Sequence, residues 1–501
     1  MEGFADQVAS KALSHFDKLP PKCRPQPSEW CVFAAIVASF PSPTSSPILE
    51  IVSSATGSKC TPPCLVVESK PHALHDSHAE VLARRGLVHA LLEEMRDPKK
   101  DPARSLLDRE PLDREPRQPL PSDGGEAAPS APSAPLYKIK DGVTFHLFVS
   151  ESPCGDASIY EVDDGSTNFT GAKIAAVDAG DGGFKSSSDD PAVFLPHANS
   201  LAASLSIVRE PAAQALSSYR LKSGRSNLPA SHRSTCHSCS DKILRWSSLG
   251  LTGSALSSLL TAPARLASVV VLRDPRCSGS GNQRKALDRA VGGRATAAAV
   301  ALGGGMEGVP SAHVLGRVFP HSRMAKAKEA GGEGGGGKDG GGEDDNEGQQ
   351  KQKQNKVSPS GQSANYNWTG RGMGKGGGDF VEMTIGATGL PQQQKKNKGR
   401  DKKRKEREGE LGGGGGGGGE VVSSRLCRAN TVTMIKAAIG GGGGGGGEGG
   451  EERWEAANAA KTYQGFKSAL ASREHKDRRE KVLGEEKLWV KDTEAYDFEL
   501  T

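Results

Sequence analysis

Phe145-His-Leu-Phe-Val-Ser150 runs directly into Glu151-Ser-Pro-Cys-Gly-Asp156. Phe145, Leu147 and Val149 alternate with His146, Phe148 and Ser150, the period of a strand. A strand ending on a Pro-Cys turn is expected to deliver Cys154 to the start of a helix, where outward N–H groups favour thiolate. Two distant fragments carry matching chemistry, Asp76-Ser-His-Ala-Glu80 and Ser238-Cys-Ser-Asp-Lys242. Together the three supply one imidazole, two thiols and one carboxylate to spare.

Working outward, Trp30 to Phe40 is an apolar run suited to a buried helix or strand. Leu49 to Ala55 reads as a strand entering the turn Thr56-Gly-Ser-Lys59. Ser77 to Met95 reads as a helix, with Val81, Leu82, Leu87, Val88, Leu91 and Leu92 at helical spacing; Asp97-Pro98 ends it. Cys239 onward is helical, Leu266 to Leu272 is a β-branched strand, and Arg284 to Val300 suits one helix. Phe380 to Ile385 is strand-like, Ser424 to Ala438 helical, and Glu451 to Leu500 a charged helix with a closing segment, Leu488-Trp-Val490.

The chain has 501 residues, 35% of them hydrophobic and 65 of them glycine. Glycine runs bury nothing and lose the most backbone entropy on ordering, so part of the chain is expected not to fold. The reading is one domain over 1–501, with disordered insertions at 98–135 and 322–362, a basic, glycine-rich insertion at 391–420 and a glycine linker at 440–450. The first insertion holds Leu107-Asp-Arg-Glu-Pro111 and its repeat, Leu112 to Pro116, too short for a solenoid. Net charge is +5, and the basic run from Lys395 to Arg407 suits nucleic acid, nuclear import or a solvated tail. Nine cysteines without an apolar leader imply a reducing compartment, cytoplasmic or nuclear, and no run is long enough for a membrane span.

A hydrolytic zinc site takes three protein ligands and keeps a fourth position open for water, whose pKa the metal lowers toward neutrality. A histidine one residue from a glutamate, combined with a later Pro-Cys, is the arrangement of zinc nucleobase deaminases. The third ligand candidate, Cys239, has a rival in Cys236, three residues earlier in a C-x-x-C pair, and Cys60 with Cys64 forms a further close pair. Free thiols remain an alternative for each of these.

The flanks of Cys239 carry a resemblance. Ser238-Cys-Ser-Asp-Lys-Ile-Leu-Arg-Trp246 resembles the third zinc motif of the adenosine-to-inosine RNA deaminases. His78-Ala-Glu-Val-Leu-Ala-Arg-Arg85 and Pro153-Cys-Gly-Asp-Ala-Ser-Ile159 resemble the first two, and Thr56-Gly-Ser-Lys-Cys60 the active-site turn. The likeness continues through Leu249 to Ser254, Asn367-Trp-Thr369, Ala387-Thr-Gly389, Ser424 to Cys427 and Trp489-Val490. It implies a cytidine-deaminase-like three-layer α/β sandwich with a mixed central sheet, extended by a C-terminal helical part. It further implies that His78, Cys154 and Cys239 bind zinc, that Glu80 shuttles protons, and that Ser58 and Lys59 line the nucleotide pocket.

The family also buries inositol hexakisphosphate as a structural cofactor. The matching positions are Arg84, Arg85, Lys242, Arg245, Ser254, Arg428, Tyr463, Lys467, Trp489 and Lys491, with Asp76 and Lys242 linking that pocket to the zinc. The chain departs from the family at His75, at Ala457 and at Leu221 and Ser223 within Arg220 to Arg225. The resemblance begins at Leu19-Pro-Pro-Lys22, leaving no room for upstream duplex-binding domains. The expected substrate is therefore a tRNA, alanine tRNA at position 37, in a loop where a base flips at little cost. A duplex-RNA editor and a catalytically silent RNA-binding relative are the alternatives.

Overall fold

The computed structural model describes residues 3–43, 46–69, 71–97, 102–109, 137–168, 170, 173–174, 220–222, 234, 236–301, 308–331, 357–367, 380–386, 388–392, 423–440 and 450–483. Every residue of β1 (Phe33–Phe40) is buried, as a strand covered on both faces requires. It pairs antiparallel with β2 (Ile48–Thr56) on one side and β5 (Thr144–Val149) on the other. Beyond β5 lie β6 (Leu266–Leu272) and β7 (Ser311–Leu315), both parallel to it. Beyond β2 lie β8 (Gln362–Asn367) and β9 (Phe380–Ile385), both antiparallel. The order β7-β6-β5-β1-β2-β8-β9 makes one mixed, seven-stranded sheet.

Adjacent residues of β2 show how the sheet is covered, because successive side chains point to opposite faces. Ser54 Oγ meets His15 of α1 (Phe4–Lys18) at 3.0 Å. Ser53 Oγ donates to the carbonyl of Ala83 in α2 (Ala79–Arg96) at 2.6 Å. The two helices therefore lie on opposite faces, giving the three layers implied by the resemblance. α3 (Cys239–Leu249) and the segment made of α4 (Gly281–Leu287) and α5 (Arg294–Ala301) pack on the α2 side. α7 (Arg428–Gly440) lies against α2, and α8 (Gly450–Ala459), α9 (Tyr463–Leu470) and α10 (Arg473–Leu483) complete the helical part.

Several elements differ from the sequence reading. Cys154 leads not into a helix but into one 3₁₀ turn, Asp156–Ser158, because Gly155 at φ 100° breaks the helical path. Arg284 to Val300 is not one regular helix: a π turn, Asp288–Gly293, separates α4 from α5. Helix α7 starts at Arg428, since Ser424 to Cys427 forms a turn in which Asn430 caps the Ser424 carbonyl. Inside the expected insertion 322–362, Arg323–Gly331 is helical (α6) and Ser358–Pro359 pairs with Glu29–Trp30. Lysine and alanine sustain a helix there even though a glycine run follows. Leu107–Arg109, within 98–135, pairs with Tyr137–Ile139 because Leu106 and Leu107 are buried. Trp368, Thr369, Ala387, Trp489, Val490 and Lys491 fall outside the described residues, as does the basic run 395–407.

Candidate active site

The end of the sheet where β2 and β5 finish gathers all three fragments. After β2, the turn at Gly57 leads into β3 (Ser58–Cys60), which pairs with β4 (Asp76–His78). Gly57 has φ 149°, and a Cβ there would lie 2.0 Å from the Ser77 carbonyl oxygen, so only glycine lets the strands approach. The register sets Ser58 opposite His78 and Cys60 opposite Asp76, with Lys59 between. His78 is the residue before α2, which places Glu80 in its first turn. Cys154 follows β5, and Cys239 is the first residue of α3, capped by Ser238 accepting from the Asp241 N–H.

The donor atoms of His78, Cys154 and Cys239 all lie within 4.8 Å of one another. His78 Nδ1 is 3.9 Å from Cys154 Sγ and 3.5 Å from Cys239 Sγ. The Cys239 N–H donates to Cys154 Sγ at 3.3 Å. The Cys239 thiol donates to Cys154, and with Lys222 and His78 nearby this holds the Cys154 thiol well below its ordinary pKa. Two thiols, one of them poised as thiolate, and an imidazole form a donor set that suits zinc. A second group, Cys60, Asp76 and His78, shares the histidine. Its carboxylate is already engaged by Lys222 at 2.8 Å and by Lys242. Cys236, the rival, is not part of the His78, Cys154, Cys239 group: its thiol accepts from that of Cys60, which lowers its pKa to about 5.

Glu80 is 2% exposed, and its Oε2 is buried without a hydrogen-bond partner among the described residues. Burial raises its pKa, and the Cys154 thiol adds to the rise. A carboxyl beside a metal donor set, with an oxygen spare, is equipped to exchange protons with a group entering the site. Lys59 packs its stem by Gly386, while Ser58 stands opposite His78 in the β3–β4 pair.

Asp76 carries more than the sequence reading assigned to it. Burial disfavours its charge, but Lys222 and Lys242 outweigh burial and hold its carboxyl well below the usual range. Lys222 lies within Arg220 to Arg225, the segment that departs from the family pattern. Its role was hidden because a two-residue strand, Arg220–Leu221, brings it in from a region without sequence periodicity.

On the far side of α2 the expected cation cluster assembles. Arg428 and Lys467 lie 5.4 and 5.1 Å from the ring centre of Tyr463. Arg85 donates to the Leu426 carbonyl at 2.7 Å, and Arg84 to that of Leu251. Burial, followed by Arg85, lowers the pKa of Arg84 to about 10. Desolvation together with Arg245, Arg428, Arg479 and Arg84 lowers that of Lys467 to about 7. Arg479 and His475 of α10 join the cluster and were not singled out, because α10 reads as a uniformly charged helix. Ser254 begins a 3₁₀ turn next to it, and Ala457 is buried.

Residues 126–328 match the adenosine-deaminase (editase) domain. That match takes in Cys154 and Cys239, while His78 and Glu80 precede it. The tRNA-specific adenosine deaminase 1 of Drosophila melanogaster is 28% identical over 302 residues, 57% of this chain and 58% of that protein. Its counterpart from Saccharomyces cerevisiae is 29% identical over 175 residues, 34% of this chain and 38% of that protein. The double-stranded RNA-specific editase Adar of Drosophila melanogaster is 27% identical over 244 residues, 44% of this chain and 27% of that protein. The chain thus spans a little over half the length of the first of these relatives and less of the others.

Proposed function

We propose that this chain, which carries the adenosine-deaminase (editase) domain over residues 126–328, converts adenosine to inosine in tRNA. The observation that carries the reading is the gathering of His78, Cys154 and Cys239 beside the buried, partnerless Oε2 of Glu80. Zinc, when bound by those three residues, supplies a Lewis acid that lowers the pKa of water. Glu80 takes a proton from the attacking water and gives it to N1 of the adenine. Glu80 then takes the remaining proton from the hydroxyl added at C6 and, as the bond from C6 to the exocyclic amine breaks, passes it to the departing ammonia. Water and adenosine in, inosine and ammonia out, balances the reaction. Ser58 and Lys59 border the base pocket, and burial of Glu80 keeps bulk water from competing for its proton.

The specific substrate we propose is alanine tRNA at position 37, which its single-stranded loop makes accessible. The similarity to tRNA-specific adenosine deaminase 1 of Drosophila melanogaster over a longer stretch than to its duplex editase supports a tRNA substrate. Inositol hexakisphosphate is the proposed second cofactor, held by Arg84, Arg85, Arg245, Arg428 and Lys467. So many mutually repelling cations in one partly buried cluster fit a polyanion. Lys242, bonded to Asp76, would connect that site to the zinc.

The test offers the full chain, loaded with zinc, alanine tRNA and a long RNA duplex, and maps inosine. Inosine at position 37 of the tRNA is expected; inosine in the duplex alone would overturn the tRNA assignment. Glu80→Gln should keep fold and zinc while turnover falls by about 10²–10⁴, the usual contribution of a general acid–base group. Turnover at the wild-type rate would remove Glu80 from the reaction.

A further inference from the structure

Each thiol of the site is followed two residues later by an aspartate: Cys154-Gly-Asp156 and Cys239-Ser-Asp241. Neither aspartate reaches the metal donors, and both are buried. Each is held instead by an arginine from one helical segment. Arg289 Nε donates to Asp156 Oδ1 at 3.0 Å, and its Nη2 donates to the carbonyls of Asp156 and Ile159 at 2.8 and 3.1 Å. Arg294 Nη1 meets Asp241 Oδ1 at 2.7 Å, with both side chains at most 1% exposed. The other oxygen of Asp241 accepts from Ser238 Oγ at 2.7 Å and from the Arg220 N–H at 2.8 Å. Arg294 therefore grips the first turn of α3, where Cys239 sits, while Arg289 grips the turn that carries Cys154.

These two turns are joined as tightly to each other. Ser240 N–H and Oγ both reach the Cys154 carbonyl at 3.0 Å, and the Ala157 N–H donates to Ser240 Oγ at 3.0 Å. A Cβ on Gly155 would lie 2.3 Å from Ser238 Oγ. The spacing of the thiols thus depends on how the two turns are held as one body.

Residues five apart on a regular α-helix point roughly 140° away from each other at 3.6 residues per turn. Arg289 and Arg294 would then face different neighbours. The segment between them is instead the π turn Asp288–Gly293, in which the Arg294 N–H bonds back to the Arg289 carbonyl. The wider π turn closes much of that angle, so the two arginines leave the segment on neighbouring faces. We propose that Arg289 and Arg294 are positioning residues for the two thiol ligands, and that the π turn exists to aim both at the paired Cys-x-Asp turns. This inference rests on the reading that His78, Cys154 and Cys239 hold zinc.

Two variants test it in the full-length, zinc-loaded protein: Arg294→Lys and Arg289→Gln. A control, Phe16→Leu, loosens the core on the opposite face of the sheet. Two readouts are compared: the rate of zinc release to a chelator and the thiolate-to-metal absorption of the cobalt-substituted protein. Both variants should release zinc about 10-fold faster or more, in keeping with supporting shells of metal sites, and shift the cobalt bands. Phe16→Leu should lower the melting midpoint and leave both readouts unchanged. Folded variants with wild-type zinc release and cobalt spectra would overturn the proposal, and so would equal changes in Phe16→Leu. Should Arg294→Lys not fold, Arg289→Gln decides alone, since its pair with Asp156 keeps 14% of the arginine exposed. Wild-type protein that holds no zinc would instead sink the metal reading beneath it.

Discussion

Cys236 and Cys239 are the same residue type three positions apart, yet only Cys239 meets His78. The difference is one of local geometry. Cys239 opens α3, so its thiol and its N–H both turn toward Cys154. Cys236 precedes the helix in an extended bridge, where its N–H is spent on Ser234 Oγ and its thiol on Cys60. Cys239→Ser should therefore lose zinc almost completely, because a serine hydroxyl is a poor substitute for thiolate. Cys236→Ser should retain the wild-type zinc content. Metal analysis of the two purified variants separates them, and equal loss in both would refute the assignment. Spacing alone could not rank these thiols, since it says nothing about which side of a turn a side chain leaves from; only the flanks of Cys239, by resemblance, favoured it.

At the scale of elements, α2 sets the site by how closely it lies on the sheet. Gly86 is where it touches: a Cβ there would come within 2.6 Å of Ser53 Cβ and 2.5 Å of Asn367 Oδ1. Asn367 Nδ2 also donates to the Gly86 carbonyl at 3.1 Å. Alanine is the better helix former by about 0.5–1 kcal/mol, but overpacking costs about 1–3 kcal/mol. The clash should win, so Gly86→Ala should lose about 1–2 kcal/mol in denaturant unfolding. A gain in stability would mean the contact yields. The strands and α2 were legible from their apolar spacing. The π turn was not, because inserting one residue leaves the composition of Arg284 to Val300 still that of a helix.

For the whole molecule, the cation cluster between α2, α7, α9 and α10 links stability to pH. Lys467 in the fold has a pKa of about 7, against 10.5 for an ordinary lysine. Between those values the unfolded chain keeps a proton that the folded chain gives up. Stability of polyanion-free protein should therefore be lowest below pH 7 and rise as pH climbs through this window. Inositol hexakisphosphate should remove that rise by restoring the charge on Lys467. At 100 times its dissociation constant it should also add about 2.7 kcal/mol at pH 7. Melting curves across pH, with and without the polyanion, check both; an unchanged slope would refute the pocket.

The sequence by itself determined the ligand types, the strand ahead of Cys154, the helix behind His78 and the kinship of three scattered motifs. Those are local properties: residue chemistry and apolar period are written in adjacent positions. Tertiary structure alone decided that Lys222 shares Asp76 with Lys242, that Cys236 turns to Cys60, and that Arg289 and Arg294 hold the Cys154 and Cys239 turns. Each of these joins segments far apart in the chain. Burial then decides between charges of like sequence, because a buried ion must find a partner and only the packed fold says which one is in reach.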